Sequence, residues 1–239
     1  MSAHKYMPPV DHWKDWPLQQ AAVIQLLRRK FKGKTLFQPD YDANRCVFVH
    51  IPKAAGTSVK NVLFPQGQHI THYRAIDYLL DSPLKFRKYY VFTFSRNPYD
   101  RLVSAYNFIM QGGKNEADGR FRDKFLSDYP DFGEFVRNGL ARKEFAKSYH
   151  FMPQFPFVLD GFGRTIVDFV GRVENMADDF AVIAKKIGVD AQLSHTNRSQ
   201  RGPYQDFYTE ESRAIAYAHY KKDFEVFGYS PRLPDRGVP

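Results

Sequence analysis

Two stretches of this chain step from a short β-branched and aromatic run into a helix opening, and that repeated step confines the fold to α/β architectures. The first is Cys46-Val47-Phe48-Val49-His50-Ile51, of strand length and closed by Pro52, which has no N–H to continue a central ladder. A small-residue loop with one cation follows, Lys53-Ala54-Ala55-Gly56-Thr57-Ser58, and then Val59, Val62 and Leu63 at helical spacing. The second is Tyr89-Tyr90-Val91-Phe92-Thr93-Phe94, followed by Ser95-Arg96-Asn97-Pro98. Asn97 suits an N-cap and Pro98 the first helical position, which predicts a helix through Leu102, Val103, Tyr106 and Phe108. Ile166 to Val170 reads as a third buried strand.

A strand-loop-helix turn of the first kind gathers backbone N–H groups and the positive end of a helix dipole, so it can cradle a phosphate. Lys53 adds a full charge there, and Thr57 and Ser58 add hydroxyls. The spacing GxxxxGK[ST] is absent because the lysine precedes Gly56, which weighs against an NTPase. In the second unit Arg96 falls at the mouth of the helix, where guanidinium and dipole together would hold an anion. Ser104 falls about 10 Å further along the axis, so a ligand touching both must run along the helix flank. Each residue alone also fits a plainer role: Lys53 in an ordinary connection, Arg96 as a surface charge, Ser104 in packing.

The charge balance agrees with an anionic partner. The 239 residues carry 35 Lys and Arg against 26 Asp and Glu, a net charge of +9. Phosphate, nucleic acid, acidic glycan and membrane surface all fit that sign. With 43% hydrophobic residues the chain can bury a core, which excludes disordered and low-complexity classes. Cys46 is the only cysteine, so an intrachain disulfide and a cysteine-based zinc site are both excluded. Its eight histidines show no HExxH spacing, and no metal is expected. No apolar run suits a signal peptide or a membrane span, and a cytoplasmic location is expected.

Elsewhere the chain reads as scaffold. Leu18 to Phe31 predicts a short helix with a basic end. Asp131 with Glu134 resembles a capping box ahead of an apolar stripe of Phe132, Phe135, Val136 and Leu140. Gly112 to Gly119 reads as a flexible loop, Met176 to Ile187 as a helix stopped by Gly188, and Glu210 to Tyr220 as the last long helix.

Taken together, VFVHIPKAAGTSVKNVLF and VFTFSRNPYDRLVSAYNF resemble the two nucleotide-binding segments of the sulfotransferases that use 3'-phosphoadenosine 5'-phosphosulfate (PAPS). The resemblance is closest to the carbohydrate branch with the chondroitin and uronyl enzymes. Looser echoes follow at His150 to Gln154, Asp168 to Phe180, Asn197 to Tyr204 and Asp223 to Tyr229. The resemblance implies an α/β, P-loop-like three-layer fold with a central parallel sheet flanked by helices. It divides the chain into an extension over 1–45, a sulfotransferase domain over 46–229 and a tail over 230–239.

It further implies that Pro52, Lys53, Ala54, Ala55, Gly56, Thr57 and Ser58 bind the 5'-phosphosulfate, and that Arg96 and Ser104 bind the 3'-phosphate. Part of the basic loop with Ser199 and Arg201 would close over the nucleotide. Two positions depart from the pattern: Ala54 stands where threonine is common, and Ser95 where an apolar residue is common. Lys53 would stabilise the leaving oxygen, and a histidine would take the acceptor proton. His69 is favoured for that, with His72 and His150 as alternatives. The acceptor would be a saccharide hydroxyl, with neither nucleic acid nor metal involved. A nucleotide-dependent phosphotransferase and a basic nucleic-acid-binding module are the competing functions.

Overall fold

The structure is a computed structural model that describes residues 35–65, 72–193 and 202–233. The helix expected over Leu18 to Phe31 lies outside the described residues. In chain order the elements are α1 (Pro39–Asn44), β1 (Cys46–Phe48), α2 (Gly56–Leu63), α3 (Ala75–Asp81), α4 (Pro83–Lys88) and β2 (Tyr90–Ser95). There follow α5 (Pro98–Met110), α6 (Glu116–Phe121), α7 (Phe132–Glu134), α8 (Lys143–Ala146), β3 (Phe169–Arg172), α9 (Met176–Ile187) and α10 (Glu210–Phe227). The chain divides into two compact units.

The first unit takes the described residues up to Ile51, with Ala55–Ser95 and the described residues from Gln154 to 193. Its sheet is parallel throughout, in the order β1-β2-β3, with helices beside it as the α/β reading requires. Phe48 pairs with Phe92, and Phe92 in turn with Phe169. Cys46, Val47 and Phe48 are fully buried, which is why β1 reads as an unbroken apolar run. Burial also pushes the Cys46 thiol up to about 12, leaving it an inert core residue.

The third strand is shifted toward the C-terminus from Ile166–Val170. Asp168 takes the Val91 N–H with its carboxylate at 2.7 Å, and Ile166 donates its own N–H to Val158. The ladder with β2 therefore starts at Phe169; Phe169 and Val170 are half-buried, Gly171 is buried and Arg172 is exposed. A Cβ at Gly171 would come within 2.6 Å of the Phe94 ring, so that position needs glycine. Ser95 is buried and donates its hydroxyl to the Gly171 carbonyl at 3.3 Å, which explains a polar residue at an apolar position. The Met176–Ile187 helix ends as expected, with Gly188 at φ 73°.

The second unit takes Pro52–Ala54, Arg96–Pro153 and the described residues from 202 onward. Asn97 caps α5 by accepting the Tyr99 N–H at 3.0 Å, with Pro98 behind it. Removing that side chain should cost about 1 kcal/mol. Leu102, Val103, Tyr106 and Ile109 point into a core shared with Phe132, Phe135, Val136 and Leu140. Asp131 accepts the Glu134 N–H at 2.8 Å, the N-cap half of the expected capping box.

Two expectations change here. Within Gly112 to Gly119 only the two leading glycines form a turn, at φ 92° and 67°, because Asn115 accepts the Asp118 N–H and opens α6. The last helix runs on to Phe227 rather than ending at Tyr220. Tyr220 leaves helical geometry (φ −105°, ψ 15°), yet Asp223, Phe224 and Phe227 beyond it remain buried. Among the described residues no helix is long and apolar enough to cross a membrane.

Candidate active site

In the first unit the site is the start of α2. Its N-cap, Ala55, has φ 58°, and Lys53 just before it has φ 66°. Left-handed geometry at two non-glycine residues is strained and is tolerated where a loop must present its backbone in one direction. Ser58 and Val59 return their N–H groups to the Ala55 carbonyl at 3.1 and 3.4 Å. Gly56 and Thr57 supply the leading N–H groups of the helix, where the dipole is positive. A Cβ at Gly56 would overlap the His50 imidazole, so glycine is required there by close approach. Thr57 is exposed, Ser58 half-buried and Ala54 fully buried.

His50, at the end of the first apolar run, stands beside this helix start together with His72. Their ring centroids lie 4.4 Å apart, and His72 Nδ1 is 3.2 Å from the His50 carbonyl. A carbonyl only accepts, so in neutral His72 the proton sits on Nδ1 and the lone pair on Nε2. His69, Ser199 and Arg201 lie outside the described residues.

In the second unit the cations around Lys53 are ordered by α5. Arg96 donates from Nε to Asp100 at 2.7 Å and from Nη1 to the Lys53 carbonyl at 3.2 Å. It is thus a half-buried, oriented guanidinium rather than a free surface charge. Arg101, at 1% exposure, donates from Nε to the Pro52 carbonyl at 2.9 Å. Burial lowers its pKa, while Tyr220 and Asp223 oppose that, and the guanidinium stays charged. Asp100, Ser104 and Phe108 recur at intervals of four on one face of α5, and all three are half-buried.

The Lys53 ammonium sits 3.6 Å from the centre of the Phe108 ring, whose centroid lies 5.3 Å from that of His150. His150 Nε2 is 3.2 Å from an Asp118 carboxylate oxygen. Burial lowers the His150 pKa, Asp118 raises it, and the charges of Lys53 and Arg101 lower it further. The imidazole is therefore neutral at pH 7, donating to Asp118, with Nδ1 buried and making no hydrogen bond to the described residues. Of the expected residues, the structure gathers Pro52, Lys53 and Arg96, with Ser104 on the flank of the same helix. The sequence reading missed Arg101, Phe108 and Asp118; a charged residue at position 101, amid the apolar stripe of α5, was the available signal.

A three-stranded parallel sheet among the described residues, with helices beside it, defines an α/β protein. Residues 39–230 match the sulfotransferase family, and the chain belongs to it. It is 33% identical to an uncharacterized protein of Archaeoglobus fulgidus, over 45% of this chain and 75% of that protein. It is 24% identical to carbohydrate sulfotransferase 12 of Mus musculus and 22% identical to that of Xenopus laevis. In both cases 61% of this chain is covered, and the chain spans 41% of the relative's length. No solved structure matches.

Proposed function

We propose that the chain is a sulfotransferase that moves a sulfuryl group from PAPS to a hydroxyl, with a saccharide as acceptor. The observation that carries this is the left-handed Lys53–Ala55 turn opening directly into the N-terminus of α2. Such a turn suits a tetrahedral anion, and the tight approach of Gly56 to His50 leaves no room for a side chain in it. Family membership supports the sulfuryl chemistry, and the two carbohydrate sulfotransferases support a saccharide.

PAPS supplies an activated sulfuryl group. The protein's part is positioning and charge: Lys53 stabilises the leaving oxygen, and the N–H groups and hydroxyls from Ala55 to Ser58 hold the 5'-phosphate oxygens. Arg96, already oriented by Asp100, and Ser104 on the same helix flank take the 3'-phosphate. Among the described histidines His72 is best suited to receive the acceptor proton, because its Nδ1 contact leaves Nε2 basic. His150 fits less well, since its lone-pair nitrogen is sealed inside the unit.

Calorimetric titration tests the reading. Adenosine 3',5'-bisphosphate should bind, and ATP and single-stranded RNA should bind far more weakly. Equal or tighter binding of ATP would shift the reading to a phosphotransferase, and preference for RNA would shift it to a nucleic-acid module.

A further inference from the structure

Arg101 is the largest fully buried side chain among the described residues. A wholly buried guanidinium is costly unless its charge and hydrogen bonds are used, and a methionine would fill the same space without that cost. Here the guanidinium is tied to main chain through one nitrogen: Nε donates to the Pro52 carbonyl at 2.9 Å, while the buried Nη2 makes no hydrogen bond to the described residues. Its neighbour Arg96 does the same to the next carbonyl, that of Lys53, at 3.2 Å. Two successive carbonyls of the loop are thus turned toward the opening turns of α5.

No peptide bond in the described chain is cis. In a trans peptide the carbonyl and the following N–H point in opposite directions, so drawing the Pro52 carbonyl inward turns the Lys53 N–H outward. The Lys53 carbonyl fixes the Ala54 N–H in the same way. The positive φ of Lys53, 66°, supplies the left-handed member of the αR–αL pairing in which successive N–H groups converge as an anion-binding nest.

We propose that Arg101 is a positioning residue for the donor anion: without touching the nucleotide, it holds the Pro52 carbonyl so that the loop N–H groups face the phosphosulfate. The proposal rests on the donor reading above and explains why the buried side chain is an arginine. Tyr220 and Asp223 offset part of the effect of burial on Arg101, and Arg96 supplies the second tie.

The test compares wild type, Arg101→Lys and Arg101→Met by calorimetric affinity for adenosine 3',5'-bisphosphate and by KM for PAPS beside kcat. In Arg101→Met both Kd and KM should rise about tenfold or more, and Arg101→Lys should recover part of the loss. A merely structural role would lower apparent kcat through an unfolded fraction and leave KM unmoved. Kd and KM within about twofold of wild type in folded Arg101→Met overturn the proposal. If that variant does not fold, Arg101→Lys decides: unchanged Kd overturns it. In the wild type, bisphosphate should also slow amide exchange at Lys53 and Ala54, and no slowing overturns it. A wild type that binds no bisphosphate defeats the donor reading and this inference with it; indifferent variants of a binding wild type defeat the inference alone.

Discussion

The Lys53 ammonium rests on the face of the Phe108 ring, 3.6 Å from its centroid, three helical turns into α5. A cation in that position is attracted by the ring quadrupole, worth about 0.5–2 kcal/mol. The ring therefore locates the charge proposed to act on the leaving oxygen. Lys53→Ala should lower kcat far more than it weakens bisphosphate binding, because the charge matters most in the transition state. Phe108→Leu keeps the bulk and removes the quadrupole, so kcat should fall about two- to thirtyfold while Phe108→Tyr stays near wild type. Steady-state kinetics on the three variants check this, and equal losses in kcat and bisphosphate affinity for Lys53→Ala would reduce Lys53 to an anchor.

Arg96 is set up for the 3'-phosphate by Asp100, which holds its Nε at 2.7 Å. Adenosine 5'-phosphosulfate, which lacks that phosphate, should be a poor donor beside PAPS. Arg96→Ala should level the two, since a charge-assisted contact of this kind is worth about 1.5–3 kcal/mol. An unchanged donor preference in Arg96→Ala would place the 3'-phosphate elsewhere.

A histidine acting as general base gives activity with an acid limb that rises with pH and then levels. His72→Ala should lose both turnover and that acid limb, while His150→Ala should keep the limb. His69→Ala belongs in the same series. Loss of the limb in His69→Ala alone would return the role to that residue.

Stability should depend on pH through His150 and His219. Burial lowers both pKa values below the ordinary histidine value of 6.5; at His150 Asp118 opposes the shift, and burial wins. The unfolded chain then takes up protons first as pH falls, so stability present above about 6.5 is lost below it. The melting temperature should drop between about pH 7 and pH 5, and a His150→Gln, His219→Gln double variant should show a shallower drop. An identical slope in the double variant would show that other groups carry the dependence.

Strong local chemistry made much of the fold legible. The unbroken apolar runs around Val47 and Val91 became β1 and β2, and Asn97 with Pro98 opened α5 where expected. One kind of miss came where a distant partner decides. Asp168, paired with Val91 far back in the sequence, takes the rung ahead of Phe169; a local miss was Asn115, whose side chain caps α6 inside a glycine-rich stretch. Beyond Tyr220 a kink hides the burial of Asp223 and Phe224. In the site, Lys53 and Gly56 stood out because charge, small size and position coincide. Arg101 and Phe108 did not, because their significance lies in main-chain and ring contacts with residues far away in sequence.

The central claim is sulfuryl transfer from PAPS, and a radiolabel assay tests it most directly. PAPS carrying sulfur-35 is incubated with the protein and a panel of saccharides, with gamma-labelled ATP run in parallel. The account predicts sulfur-35 in a saccharide product, formation of adenosine 3',5'-bisphosphate in equal amount, loss of both in Lys53→Ala, and no transfer from ATP. Phosphorus label in the product from ATP, with none from PAPS, would contradict it.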